Sequence, residues 1–236
     1  MKKTVAMLTV CIAMLVGLPA FATVVVGLPP DAGTGNCFPF GCAYSGEYQQ
    51  VYSSSQFSGT ITITDLEFFN TQVDFGANAM NSGNWAISLS TTSADWNTLS
   101  STYASNLGAN NTLVLSGNLS QPWAFGDTLT INLSTPFTYD PSMGNLLMDV
   151  FVTGATEPGG PIYFDTNGWD NGNFDGNTFL GRVYCNGCYP SGNVNNGYGL
   201  VTGFSTGGSV PEPGSLMLLG SGLLGVVGIM RRKLML

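Results

Sequence analysis

The chain has 236 residues, of which 8% are charged and 44% are hydrophobic. Typical globular chains have about 25% charged residues, whereas disordered chains combine low hydrophobicity with high charge, so this composition excludes a disordered chain. Between Thr23 and Val210 one basic residue stands against thirteen acidic ones, a net charge of −12. This charge excludes nucleic acid and anionic lipid headgroups as partners of that region, and leaves cations, neutral glycans and proteins.

The first 22 residues are organised like a secretion signal. Lys2 and Lys3 form a short positive start, and an apolar run follows. Ala20 and Ala22 then give the small-x-small pattern that signal peptidase accepts, so cleavage is expected after Ala22. The alternative is an uncleaved membrane anchor. We therefore predict a signal peptide at residues 1–22 and an exported domain at residues 23–206.

Four cysteines remain after the signal is removed: Cys37, Cys42, Cys185 and Cys188. An even number of cysteines in an exported chain favours disulfides, and we predict the local pairs Cys37–Cys42 and Cys185–Cys188. A four-thiolate zinc site and a redox role for the Cys-x-x-Cys pair are the alternatives. The Asn-Gly between Cys185 and Cys188 is typical of a tight turn, which favours a structural bridge.

The middle of the chain has short segments of alternating apolar and polar residues between Gly, Asn and Pro clusters. This pattern predicts an all-β domain, an antiparallel β-sandwich of jelly-roll-like type. The run from Asn145 to Thr153 is more apolar and predicts a central strand that is buried on both faces. The turn from Asp140 to Gly144 has favourable residue chemistry. Strands are predicted in or near residues 60–64, 66–69, 85–89, 113–115, 129–133, 145–153, 179–184 and 198–204.

One segment departs from the alternating pattern. Its apolar residues are spaced 3, 4 and 4 apart, with a candidate cap before them and a glycine after them. This spacing predicts one short helix packed on the sandwich. The residues are Ser93, Trp96, Leu99, Tyr103, Leu107 and Gly108.

Most enzyme mechanisms lack their residues here. The chain has no histidine, and the region from Thr23 to Val210 has no lysine. Ser-His-Asp, Cys-His, Lys-nucleophile and Walker-type sites are therefore excluded. A pair of carboxylates such as Asp65 and Glu67, two apart on one strand face, is the remaining option, although two solvated acids explain that pair more simply. We predict that the protein is not an enzyme.

An acidic, Asn-rich loop runs from Asp165 to Asn177, between the predicted strands at 145–153 and 179–184. Its oxygen ligands suit Ca²⁺, and the segment from Asn171 to Gly176 imitates the start of an EF-hand loop. Its twelfth position is Arg182, where that motif requires Glu. An ordinary turn is the alternative, and no other cofactor is predicted. The candidate calcium ligands are Asp165, Asn167, Asp170 and Asp175.

Two further features bear on ligand binding. An aromatic face for stacking on sugar rings is one interpretation of four aromatic residues, and burial in the core is the other. Arg182 is either a hydrogen-bonding anchor or the partner of a nearby carboxylate. The aromatic residues are Trp123, Tyr163, Trp169 and Tyr189.

The chain changes character near its C-terminus. Residues 207–214 form a Gly/Pro linker with Pro211, Glu212 and Pro213, and residues 215–236 contain an apolar stretch and a basic finish. The apolar stretch is long enough, at about 25 Å as a helix, to approach the thickness of a bilayer core. Arg231, Arg232 and Lys233 should stay cytoplasmic, which places the preceding domain outside.

The Pro211-Glu212-Pro213 motif, the short apolar helix and the Arg231-Arg232-Lys233 finish resemble the PEP-CTERM sorting signal. The resemblance implies handling by an exosortase-type enzyme, anchoring in the membrane through the C-terminal helix, and then a cell-surface or extracellular location in bacteria that make extracellular polysaccharide. A plain one-pass anchor is the alternative. For the domain itself we expect a structural or interaction role at the surface or in the matrix, or else a polysaccharide-binding module, with or without calcium.

Overall fold

The structure is a computed structural model of the chain and describes residues 21–27, 35–70, 83–119, 126–156, 160–168 and 178–209. The chain divides into two compact units. One unit is Thr23–Gly207, and the other combines Met1–Ala22 with Gly208–Leu236. The second unit lies almost entirely outside the described residues.

Short strands dominate the described residues. Three 3₁₀ turns accompany them, at Ser54–Gln56, Tyr103–Ser105 and Pro141–Met143. The last of these begins at Asp140, whose carboxylate accepts a hydrogen bond from the Ser142 amide, as a turn there requires. The strands are β1 Phe21–Val26, β2 Gly35–Asn36, β3 Gly46–Tyr52, β4 Ile61–Phe69, β5 Asn84–Thr92, β6 Thr112–Gly117, β7 Thr128–Tyr139, β8 Asn145–Thr153, β9 Phe164–Asn167, β10 Leu180–Tyr184, β11 Asn193–Asn196, β12 Gly199–Leu200 and β13 Thr202–Ser209.

The strands form three sheets. A six-stranded sheet has the order β11-β10-β3-β8-β5-β6, and a four-stranded sheet has the order β1-β13-β4-β7. A small sheet has the order β12-β9-β2. The long neighbouring strands pair antiparallel, including β3 with β8, β5 with β8 and β4 with β7. The prediction of an all-β, antiparallel domain is confirmed, whereas its likeness to a jelly roll stays a prediction.

One hydrophobic core joins the two larger sheets. Trp85 and Tyr52 of the six-stranded sheet belong to the same buried cluster as Ile131 and Phe204 of the four-stranded sheet. The rings of Tyr52 and Phe204 meet edge to face with centroids 4.9 Å apart. The Tyr52 hydroxyl also bonds to Oγ1 of Thr202 at 2.9 Å, so the phenol is satisfied although it is fully buried.

Strand alternation places the side chains of the six-stranded sheet on two faces. Tyr48 and Tyr52 of β3 point into the main core, whereas Val51 joins a second cluster on the opposite, outer face. β8 lies between β3 and β5, and Leu146, Leu147 and Met148 are all fully buried. The prediction of a central strand with both faces buried at residues 145–153 is therefore correct for its first half.

Residues 93–111, which we name the covering loop, lie over the outer face of the six-stranded sheet. Leu99 and Tyr103 of this loop pack on Val51, Leu147 and Val183 of three adjacent strands. These two apolar residues thus face the sheet, as their spacing suggested. Gly181 of β10 permits the close approach, because a Cβ atom there would lie 2.4 Å from the carbonyl oxygen of Trp96.

The predicted helix in this segment is wrong. Within the covering loop only Tyr103–Ser105 is helical, as a single 3₁₀ turn. Side-chain oxygens capture the amides that an α-helix would need: the Asp95 amide donates to Oγ1 of Thr98, and the Ser100 amide donates to Oδ1 of Asn106, both at 2.8 Å. Ser, Thr, Asn and Asp compete with helical hydrogen bonding in this way, and the segment is rich in them.

Two smaller predictions also need correction. Residues 60–64 and 66–69 are one strand, β4, whose pairing with β7 shifts register between Ile63 and Asp65. Within the predicted strand at 113–115, now part of β6, alternation would place Leu113 and Leu115 on the core face. Leu115 is opposite Ile87 and packs against the core, whereas Leu113 is opposite Ser88 and is 53% exposed, because the pairing of β5 with β6 shifts register between Ile87 and Ser88. The extra residue at this bulge, Val114, is fully buried.

Candidate functional site

A polar cluster lies on the outer face of β3 and β8. In the antiparallel register Gln49 is opposite Asp149, and Glu47 is opposite Phe151. Residues directly opposite each other share a face and have close Cβ atoms, so these four side chains form one patch. Glu47 and Gln49 are buried although they are polar, because the covering loop lies over them.

Gln49 is the centre of this cluster. Its amide nitrogen donates to the carboxyls of Asp149 and Glu47 at 3.1 and 3.3 Å, and to the carbonyl of Tyr103 at 3.1 Å. Its amide oxygen accepts from Nδ2 of Asn106 at 2.9 Å. The side chain of a fully buried glutamine is therefore satisfied on both ends, and it ties the covering loop to the two strands.

Glu47 and Asp149 form a hydrogen-bonded carboxyl pair. The pKa of Glu47 is raised to about 8. Burial is the largest cause, and the hydrogen bond with Asp149 and the negative charge of Asp149 are the others. Burial also raises the pKa of Asp149, while hydrogen bonds from Glu47 and Gln49 work in the opposite direction. At neutral pH Glu47 thus holds the proton and donates it to the Asp149 carboxylate.

Tyr103 brings the covering loop against this carboxyl pair. Its ring is 1% exposed, and its hydroxyl has no hydrogen-bond partner among the described residues. Burial and the neighbouring Glu47 and Asp149 charges all raise the pKa of Tyr103, so the phenol stays neutral. The loop is fastened beside this point by an isolated bridge between Thr102 and Ser191.

An aromatic pair is exposed next to the carboxyls. Phe151 is 39% exposed and Tyr189 is 68% exposed, and their rings meet edge to face with centroids 6.0 Å apart. Tyr189 directly follows a turn closed by the Cys185–Cys188 disulfide. The amide of Gly187 within that turn donates to the carbonyl of Ser45, so the turn is also held to the segment before β3.

The patch offers groups for binding rather than for cleavage of a sugar chain. Glycosidase carboxyls stand about 5 Å or more apart, whereas a hydrogen-bonded pair has its oxygens within about 3 Å. Exposed aromatic rings can stack on the apolar face of a sugar, and the partly buried carboxylate of Asp149 on the same face can accept hydrogen bonds from hydroxyl groups.

The structure joins Cys37 to Cys42 and Cys185 to Cys188, with Cα atoms 5.2 and 5.4 Å apart. This is the local pairing that the sequence favoured. Thiols that are bonded to each other are not available as zinc ligands. The Cys-x-x-Cys segment closes a turn between β10 and the loop that leads to β11, which agrees with a structural bridge.

The candidate calcium ligands are only partly described. Asp165 and Asn167 lie on β9 and are 2% and 4% exposed, whereas Asp170 and Asp175 are outside the described residues. In the part of the chain that the structure describes, no group of three or more Asp, Glu, Cys or His side chains is placed to hold a metal ion. Calcium binding by this loop stays a prediction.

The other predicted groups are dispersed. Asp65 accepts a hydrogen bond from Thr64, and Glu67 accepts one from Ser205, on the face of β4 opposite to its core residues. Of the four aromatic residues, Trp123 and Trp169 are outside the described residues, and Tyr163 is half-buried. Tyr189 is exposed, but its aromatic partner is Phe151, which the sequence did not indicate.

The polar cluster was hardly predictable from local sequence patterns. Alternation in Glu47-Tyr48-Gln49-Gln50-Val51 normally indicates a strand with one solvated face, and nothing local shows that a loop covers it. Asp149 is a single acid within an apolar strand. Such an acid in a predicted central strand is the one signal that pointed to a buried partner, because an isolated buried charge is costly.

The predicted sorting and cleavage residues cannot be placed in the fold. Pro211, Glu212, Pro213 and the Arg231–Lys233 finish lie outside the described residues, as does Ala20, and the side chain of Ala22 is not described. Among the helical segments that are described, none is long and apolar enough to cross a membrane. The signal peptide and the C-terminal membrane helix stay predictions.

Comparison with known proteins bears on the C-terminus. Residues 209–233 match the model of the PEP-CTERM protein-sorting motif. No curated protein and no solved structure matches the chain. The chain thus carries a PEP-CTERM motif at its C-terminus, as its sequence indicated, and this motif implies an exported cell-surface protein that is processed by an exosortase.

Proposed function

We propose that this exosortase-sorted chain is a structural or interaction component of the cell surface or the extracellular matrix. The observation that carries the proposal is the sorting motif at residues 209–233, which follows directly on the all-β unit. The two local disulfides agree with an oxidising compartment outside the cytoplasm. In this role the domain acts through its surface and catalyses no reaction.

Several features support a non-catalytic role. The chain has no histidine, so the commonest general base is lacking. The carboxyl pair Glu47–Asp149 shares a hydrogen bond instead of flanking a space for a substrate. A binding or scaffolding surface needs only a rigid framework with exposed contact groups, and a sandwich with short disulfide-closed turns offers that framework.

The location is tested by mapping the termini of the protein isolated from its native host, in membrane and medium fractions, by mass spectrometry. We expect a mature form that starts at Thr23 and ends near Pro211–Pro213. Alanine replacement of Pro211, Glu212 and Pro213 should abolish the C-terminal processing. Removal of the last three residues, which follow the matched region, should leave it intact. A wild-type form that keeps Arg231–Leu236 in the membrane would instead identify a plain anchor.

A second candidate function is carbohydrate binding. It is favoured by the exposed pair Phe151–Tyr189, which stands beside the oxygens of Glu47 and Asp149. A matrix protein with this surface would hold neutral segments of extracellular polysaccharide by stacking and by hydrogen bonds to hydroxyl groups. Calcium contributes to polysaccharide binding only if the loop around Asp170 binds the ion. Polysaccharide binding measured with and without a chelator distinguishes calcium-dependent from calcium-independent binding.

This second function predicts a specific loss. Alanine at both Phe151 and Tyr189 should weaken binding to a neutral polysaccharide, chosen by a screen of the mature protein, about tenfold or more. Leu113→Ala is the matched control, because Leu113 is also exposed and apolar but lies on the opposite edge of the same sheet. Calorimetry measures the polysaccharide affinities of both variants. Equal affinities for the two variants would remove the aromatic pair from the binding surface.

A further inference from the structure

Arg182 occupies an unusual position for the one basic residue between Thr23 and Val210. It lies on β10, opposite Gln50 of β3 and Asn195 of β11, and is 4% exposed. Because Gln50 alternates with the outer-face residue Gln49, this register places Arg182 on the inner face of the six-stranded sheet. The arginine and the Glu47–Asp149 pair are therefore on opposite faces.

Two tyrosines enclose the guanidinium. Its central carbon lies 4.1 Å from the ring centroid of Tyr184 and 4.3 Å from that of Tyr198. Nε donates to Oδ1 of Asn195 at 3.2 Å. Two ring contacts at these distances are favourable for a cation and restrain the position of the guanidinium.

One of those N–H groups lacks an acceptor. Nη1 of Arg182 is buried and has no hydrogen-bond partner among the described residues, and no described carboxylate forms an ion pair with the guanidinium. The acid with which Arg182 was expected to pair is therefore not among the described residues. A buried cation without an opposite charge is costly, although thirteen acids were available to the domain.

The nearest polar neighbour on the sheet has no acceptor to spare. Oε1 of Gln50 accepts from the hydroxyl of Tyr48 at 2.6 Å and from the amide of Leu200 at 2.8 Å, and its nitrogen donates to the Leu200 carbonyl. Both lone pairs of the amide oxygen are therefore in use. Burial raises the pKa of the Tyr48 hydroxyl, and its hydrogen-bonding contact with the guanidinium lowers that pKa to a smaller extent. That hydroxyl is neutral, and Nη1 of Arg182 still has no partner among the described residues, so the framework leaves this N–H without an acceptor and the cation without an opposite charge among them.

Access is from the side where two sheet edges meet. β11 is the edge strand of the six-stranded sheet, and β2 is the edge strand of the small sheet. Asn36 of β2 donates to the hydroxyl of Tyr198, in the turn between β11 and β12, at 3.5 Å, which is a long hydrogen bond. Tyr184, Tyr198 and Asn195 are each half-buried, so the walls around the guanidinium reach solvent.

We propose that Arg182, Tyr184 and Tyr198 bind the carboxylate of an acidic sugar that enters between the edges of β11 and β2. A carboxylate matches the planar donor array of a guanidinium, and it supplies the opposite charge that the described residues do not provide. The tyrosine rings and hydroxyls suit the face and the hydroxyls of a pyranose. The net charge of −12 from Thr23 to Val210 disfavours polyanions, so the ligand carries one carboxylate on an otherwise neutral sugar.

This inference is independent of the Phe151–Tyr189 surface, and the test uses the mature exported protein with monosaccharide probes. Calorimetry should give an affinity for glucuronate about tenfold or more above that for glucose, because the two sugars differ only in the carboxylate. Arg182→Met should abolish this difference, whereas alanine at Phe151 and Tyr189 should leave it unchanged. Equal affinities of the wild type for the two sugars would overturn the proposal.

Two further measurements keep the proposal testable if Arg182→Met does not fold. Arg182→Lys keeps the charge but loses the planar array, so glucuronate binding should fall about fivefold or more while the circular dichroism spectrum is unchanged. For the wild type, affinity should hold or rise between low and physiological salt, because salt screens the surrounding negative charge more than a partly buried ion pair. Tighter binding of an acidic peptide than of glucuronate would reject the sugar in favour of a protein ligand.

Discussion

Replacement of Asn106 with alanine is expected to lower the free energy of unfolding by about 4 kcal/mol, because three buried hydrogen bonds are lost together. Asn106 is 1% exposed; its oxygen accepts from the Ser100 amide at 2.8 Å. Its nitrogen donates to the Ser100 carbonyl and to the amide oxygen of Gln49, both at 2.9 Å. Without it, buried groups on both the covering loop and β3 have no partner. For a domain of this size the melting temperature should fall by about 10 °C.

The matched control is Asn110→Ala. Asn110 belongs to the same loop and also bonds through both ends of its amide, to the Thr91 amide at 2.7 Å and to the Thr91 hydroxyl at 3.1 Å. It is exposed, so water replaces the lost partners and we expect a loss of about 1 kcal/mol. Urea unfolding followed by circular dichroism measures both variants. Equal losses would mean that burial of Asn106 does not fasten the loop.

The same residue explains why the covering loop could not be predicted. The spacing of Leu99, Tyr103 and Leu107 correctly indicated an apolar face directed at the sheet, because that requirement is local to the segment. The backbone conformation, in contrast, depends on which partner each amide finds. Asn106 bonds to Ser100 within the loop and to Gln49, which is 57 positions earlier in the chain. The helical spacing of the apolar residues indicates only which side of the segment faces the sheet. It contains no information about the hydrogen-bond partners of the backbone amides or of Asn106.

Strand prediction succeeded where alternation was uninterrupted and failed at register shifts. In the predicted strand at 85–89, Trp85, Ile87 and Leu89 alternate inward, and all three are buried. The register shift between Ile87 and Ser88, where β5 pairs with β6, leaves Leu113 exposed and buries Val114. A bulge adds one residue to one strand and is decided by the partner strand, so the alternation of a single strand does not contain it.

Prediction of the two candidate sites would have required the sheet register as well as the composition. Gln49 and Asp149 are 100 positions apart in the chain but opposite each other in the sheet. Arg182 was recognised as the one basic residue of its region, but its contacts with the rings of Tyr184 and Tyr198 were not indicated by the sequence. The cysteine pairs could be predicted from the sequence because each bridge closes a short segment. Contacts close in sequence could be predicted, whereas those made by strand pairing could not.

Raising the pH from about 5 to about 9 is expected to destabilise the domain by about 3 kcal/mol through the Glu47–Asp149 pair. Burial raises the pKa of Glu47 from its ordinary value of 4.5 to about 8, so the native state holds this proton where the unfolded chain has released it. The contribution is complete below the unfolded pKa and is lost as pH rises through the folded pKa. The raised pKa of Asp149 acts in the same direction. Tyr103, the other titratable group that faces the pair, stays neutral across this range.

Glu47→Gln should remove most of this slope. Its amide donates permanently to the Asp149 carboxylate, as the protonated Glu47 does, so the variant should match the wild type at about pH 5 and exceed it in stability at about pH 9. Glu67→Gln on β4 is the control: it makes the same substitution on the other large sheet, where Glu67 accepts a hydrogen bond from Ser205 and is not paired with a second carboxyl. Melting temperatures of the wild type and of both variants, measured across the same pH range, test this prediction. A slope that persists in Glu47→Gln would assign the pH dependence to another group, and the covering loop would then rest on hydrogen bonds that pH does not alter.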